Sequence, residues 1–75
     1  MWKALLVSVK PGMLEVRYYH TDGREFTQNY DFIGSETIAQ LRAPILVRVA
    51  ELNTADTKRD EMVTKLSAYV GKDIA

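Results

Sequence analysis

Cysteine is absent from this chain of 75 residues, so neither a disulfide nor a thiolate metal site can staple its fold. A single histidine, His20, rules out a multi-histidine metal cluster. Net charge is missing too, because ten basic side chains meet ten acidic ones. A strong nucleic-acid footprint needs clustered Lys and Arg, and a polybasic membrane anchor needs the same. No apolar run reaches the ~18 residues that would span a bilayer. The opening Met1-Trp2-Lys3-Ala4-Leu5-Leu6-Val7 stops at Ser8 and turns at Lys10-Pro11-Gly12, without a signal-like cleavage site. Synthesis in the cytoplasm, without secretion through a signal peptide, is the expectation.

A chain this short has room for one domain. Below roughly 80 residues one core rarely supplies more than about 3–5 kcal/mol unless staples or partners help. With no staple available, association is the remaining way to add buried surface.

Turn chemistry predicts three strands, about 2–9, 13–20 and 24–32. Pro11 and Gly12 occupy the two central positions of a type II turn. Setting Lys10 opposite Met13 then pairs Val9 with Leu14, Val7 with Val16 and Leu5 with Tyr18, all on one face. At the second turn a two-residue Asp22-Gly23 hairpin would oppose Tyr18 to Thr27, polar against apolar. A one-residue slip flips every side chain. A three-residue loop, Thr21-Asp22-Gly23, instead pairs Tyr18 with Phe26, Val16 with Gln28 and Leu14 with Tyr30. That register keeps one apolar face and requires Gly23 to be left-handed, next to a bulge.

Two helices follow, about 36–53 and 56–69. Ser35 reads as the first N-cap, with Glu36 favouring the dipole. Pro44 predicts a kink or break, since it cannot donate to Gln40. Asn53-Thr54-Ala55-Asp56 reads as a connection, the second helix is expected to carry Met62, Val63, Leu66, Tyr69 and Val70 inward, and Gly71 reads as a stop. The expected architecture is α+β: a three-stranded antiparallel meander with two helices packed on one face, in a single domain over residues 1–75.

The first helix is apolar on two sides. Ile38, Leu41, Ile45, Val49 and Leu52 recur at the spacing of one face. Ala39, Ala43, Leu46, Val47 and Ala50 form a second band, at about 100° per residue. On the sheet, the register puts Trp2, Ala4, Leu6, Arg17 and Tyr19 on the face turned away from the helices. Trp, Tyr and Arg are enriched at binding hot spots. The expected protein interface is therefore Trp2, Ala4, Leu6, Arg17, Tyr19, Ala43, Val47 and Ala50, unless residues 70–75 fold over the first strand. That strand has a free edge with Lys3 as its only charge before Lys10, which suits pairing with a partner's strand.

Chemistry is sparse. His20 near Asp22 could be read as an oriented base, but it flanks a solvated turn. Ser8, Ser35 and Ser67 have no matching base, and the glycines occur singly, so no loop cradles a phosphate. Asp22, Glu25 and Asp31 lack paired-carboxylate spacing. The reading is a non-enzyme with no cofactor, metal or small-molecule substrate. Its partners would be other protein subunits or copies of itself, not a membrane.

Met1-Trp2-Lys3-Ala4, the Tyr-rich hairpin with its Asp-Gly turn, and the helix segment Ala50-Glu51-Leu52-Asn53-Thr54-Ala55-Asp56 resemble short structural proteins of tailed bacteriophages. The resemblance implies a virion-associated subunit of the tail or neck, held by larger neighbours. The strand-strand-strand-helix order is also similar to the arm-binding domains of phage integrases, which lay a three-stranded sheet in the DNA major groove. Lys3, Arg17 and Arg24 would lie on or near such a face. Glu15, Glu25 and Asp31 would share it, which disfavours phosphate contact and puts a small DNA-binding or regulatory module second.

Overall fold

The computed structural model describes residues 1–75. Three antiparallel strands, β1 (Trp2–Lys10), β2 (Met13–His20) and β3 (Glu25–Asp31), form a meander in the order β1-β2-β3. One helix follows, α1, Ile38–Ser67. The α+β class and the meander match the sequence reading; the two helices do not.

Both turns follow from their glycines. Gly12 has φ 83° and Gly23 φ 97°, a region that costs a residue with a Cβ. The loop Thr21-Asp22-Gly23 is closed by the Gly23 amide donating to the His20 carbonyl (3.1 Å) and the His20 amide to the Arg24 carbonyl (2.9 Å). The β2–β3 register is the expected one: Tyr18 faces Phe26, Val16 faces Gln28 and Leu14 faces Tyr30.

The β1–β2 register is half as expected. Lys10 faces Met13 and Val9 faces Leu14, but the ladder slips between Leu6 and Ser8. Val7 is an extra residue there, so Leu6 rather than Val7 faces Val16, and Ala4 rather than Leu5 faces Tyr18. One inserted residue exchanges the two faces of everything before it. Trp2, Ala4 and Leu6 therefore turn toward the helix, while Leu5 is 51% exposed on the other side. The bulge corrects the outward placement of Trp2 that turn parity gave.

α1 begins later than expected. Thr37, not Ser35, is the N-cap: its hydroxyl accepts from the Gln40 amide (3.1 Å) while the Gln40 side chain accepts from the Thr37 amide (2.8 Å). That reciprocal pair satisfies two amides at once. The Glu36 carboxylate instead accepts from the Ile33 and Gly34 amides, and these bonds, Ile33 first, hold its pKa below the usual range.

The helix runs unbroken through Pro44 and through the expected connection at 53–56. Pro44 and Gln40 both lie on the exposed side, where water can satisfy the carbonyl that proline leaves without a donor. Asn53 and Asp56 do not act as caps, because their side chains bond to the sheet. Thr57, Thr64 and Ser67 bond back to the carbonyls four residues earlier.

At ~1.5 Å per residue, 30 residues make a rod about 45 Å long. The sheet is shorter than that. Only Trp2, Leu14, Val16 and Tyr18 are buried, with Phe26, Tyr30, Phe32, Leu41, Ile45, Val49 and Leu52 packed around them. From Thr57 to Ala75 every residue is exposed. Met62, Val63, Leu66, Tyr69 and Val70, expected to point inward, are 48–79% exposed. The second half of α1 projects past its own sheet, giving extents of 58 × 21 × 19 Å.

Candidate functional site

A polar clamp fixes where the helix leaves the sheet. The Trp2 amide donates to Asn53 Oδ1 (2.8 Å) and the Trp2 indole Nε1 to Asp56 Oδ2 (3.1 Å). Arg24 reaches the same Asp56 carboxylate with Nη1 and Nη2, at 2.9 and 2.8 Å, the fork geometry that makes guanidinium–carboxylate pairs strong. Its guanidinium carbon lies 5.1 Å from the centre of the Trp2 ring, within cation–π range. Arg24 Nε also donates to Asp22 Oδ2 (2.7 Å).

Charge in this cluster is matched. The Arg24 hydrogen bonds hold the Asp56 carboxyl down to about 2, and the Arg24 backbone amide lowers that of Asp22. Both ring nitrogens of His20 are occupied, Nδ1 by the Asp22 amide (3.1 Å) and Nε2 by the Met1 amine (2.9 Å). The imidazole thus lies within the clamp rather than facing open space. Below it, Tyr18 stacks on Phe26 at 5.0 Å and shares a hydrogen bond with the Tyr30 hydroxyl. Burial, then that bond, pushes the Tyr18 phenol up.

Beside the docked half of α1 lies an apolar groove of about 730 Å³. Ala4, Leu6 and Val9 of β1 form one wall, and Ile38, Leu41, Ile45 and Leu46 of α1 the other, with Arg42 at its rim. β1 is an edge strand that α1 clamps at Trp2, and farther along the strand Leu6 and Val9 stay uncovered. Leu6, Leu46 and Val9 remain 56–60% exposed and Ile38 74%. On the other side of α1, Val47, Ala50, Glu51, Thr54, Ala55 and Lys58 line a flatter depression.

The eight residues expected to form one interface fall in four places. Trp2 is only 6% exposed and belongs to the core. Ala4 and Leu6 line the groove on the helix side. Arg17 keeps its outward parity on β2, flanked by the buried Val16 and Tyr18, while Tyr19, half-buried, also borders the groove. Ala43, Val47 and Ala50 are exposed on the helix. The segment 70–75 forms no strand and covers nothing on β1: Val70 is 79% and Ile74 67% exposed.

Sequence reasoning missed the groove residues Val9, Ile38, Arg42 and Leu46, and the projecting pair Val63 and Leu66. A signal for the second was present. Leu52, Asp56, Arg59, Val63 and Leu66 continue the docking stripe at steps of three and four, so one face runs on beyond the sheet.

No family model matches this chain, and neither a curated protein nor a solved structure is found similar to it. No helix is long and apolar enough to cross a membrane.

Proposed function

We propose that the protein is a non-enzymatic structural or adaptor subunit of a larger assembly, with a tailed-phage particle as the assembly its sequence resembles. The observation that carries this reading is the amount of apolar surface left open. Four residues of 75 are buried, whereas an apolar groove and an apolar helix face stand uncovered side by side. Monomeric soluble proteins rarely leave such contiguous surface bare, and where they do it marks an interaction site. The polar groups that could do chemistry are tied to one another in the clamp, which leaves them a structural task.

The DNA-binding alternative is the weaker one. On the outer sheet face Lys3, Lys10 and Arg17 share the register positions with Glu15, Glu25 and Asp31, so phosphates would meet as much repulsion as attraction. Sedimentation of extracts from the producing cells, with the chain followed by antibody, tests the assembly reading. Co-sedimentation with a large particle is expected; the chain confined to slow fractions as a free species would contradict it.

A further inference from the structure

Each chain carries an open groove and, farther along the same helix, an apolar face with nothing beneath it. Val63 and Leu66 lie on the stripe that Leu41, Ile45, Val49 and Leu52 use to dock on the sheet. A helix face shaped to sit on this kind of sheet therefore continues past the sheet's end.

We infer that a second copy of this chain fills the groove: the projecting half of α1, around Val63 and Leu66, seats between β1 and the docked half of the partner's helix, reciprocally about a two-fold axis. Such a dimer presupposes that the protein is an assembly subunit and names its first partner. The two surfaces are complementary in kind, an apolar rod and an apolar trough. Charge agrees at the rim. Arg42 borders the groove and makes no ion pair within its own chain, and Asp60 is paired only with its neighbour Arg59. The two lie about five helical turns apart on one flank of α1, so an antiparallel partner helix brings them together. The small residue Ala39, exposed on α1 beside Leu46, lets two helices approach to the 8–10 Å of ordinary packing. A two-fold arrangement makes the contact twice, which helps reach the 1,200–2,000 Å² of a stable interface, roughly.

Edge-to-edge pairing of two β1 strands is the rival dimer. The bulge at Val7 works against it, because a bulge twists an edge away from further pairing. Pairing through β1 would also leave Val63 and Leu66 bare.

Sedimentation equilibrium of the full chain across a concentration series tests the inference, with Trp2 fluorescence confirming that each variant is folded. The wild type is expected to dimerise. Val63→Glu with Leu66→Glu, and separately Leu46→Lys, should each raise the dissociation constant at least about a hundredfold, as loss of a central anchor pair does. Mixing the two variants leaves one native contact and one Lys–Glu contact, so the mixed dimer should be tighter than either variant alone. Val63→Ala with Leu66→Ala, which keeps helix propensity, should weaken dimerisation in the same direction.

A monomer at every concentration, a dimer indifferent to the Val63 and Leu66 changes, or a mixture that gains nothing would overturn it. Binding of 8-anilinonaphthalene-1-sulfonate separates the two readings in the monomeric case. A monomer that binds the dye loses the homodimer but keeps an open surface for another subunit. One that binds none loses both.

Discussion

Trp2 meets the helix through hydrogen bonds to Asn53 and Asp56 and meets the sheet edge-on against Phe26, with ring centres 5.7 Å apart. It is the only buried residue of β1. Truncating a buried Trp to Ala costs ~3–5 kcal/mol, comparable with the whole stability of a chain this small. Trp2→Ala should therefore abolish cooperative unfolding in urea. Trp2→Phe, which keeps the ring but not the Nε1 donor, should leave a weakened transition. Acid reports on the partner of that donor. The Asp56 carboxyl is held at about 2 against an ordinary 3.8, so its contribution to stability is present above the ordinary value and lost as pH falls through the lowered one. Stability should decline between about pH 4 and 2, with Asp22 and Glu36, lowered in the same direction, adding to the slope. Asp56→Asn should flatten that decline in pH-dependent urea melts. An unchanged slope would place the acid sensitivity elsewhere.

Among the elements, the hairpins were the most legible in the sequence. At β2–β3 the turn and the apolar pattern demanded the same register, and only one loop length satisfied both. Gly23→Val should cost about 1–3 kcal/mol, the strain of a β-branched residue at positive φ; Thr27→Val, exposed on β3, is the control. Equal losses for the two would contradict the left-handed conformation. The faces of β1 were not legible, because a bulge has no strong sequence mark and one extra residue inverts everything beyond it. Leu5 and Leu6 are both apolar, so alternation alone could not choose between them. The single helix was hidden for a different reason. Asn53 and Asp56 belong to residue types that favour caps, but Trp2 and Arg24 bind their side chains, and tertiary bonds then override the local preference. The helix start was misplaced by two residues, since Ser35 and Thr37 are both acceptable caps and only Thr37 has a glutamine three residues on. Thr37→Ala should cost about 1 kcal/mol, read as a lower urea midpoint, whereas Ser35→Ala should cost little.

For the whole molecule, the radius of gyration of 17.7 Å exceeds the roughly 11 Å of a compact chain of this length. The excess comes from the projecting half of α1, which has no sheet beneath it. The candidate site was legible as a need rather than a place. Two apolar bands on one helix and no staple implied missing cover, but the bulge and the length of the rod decide where that cover is missing. An isolated helix shorter than ~12–15 residues is marginal in water, so the projecting turns should hold their structure poorly until something packs on them. Hydrogen exchange of the full chain, followed residue by residue over dilution, tests this most directly. In dilute solution the amides of 57–67 should exchange far faster than those of 45–56, which the sheet and the clamp protect, and they should gain protection as the chain assembles. Protection of 57–67 equal to that of 45–56 at the lowest concentration would contradict the account, because the second half of the helix would then be covered by its own chain.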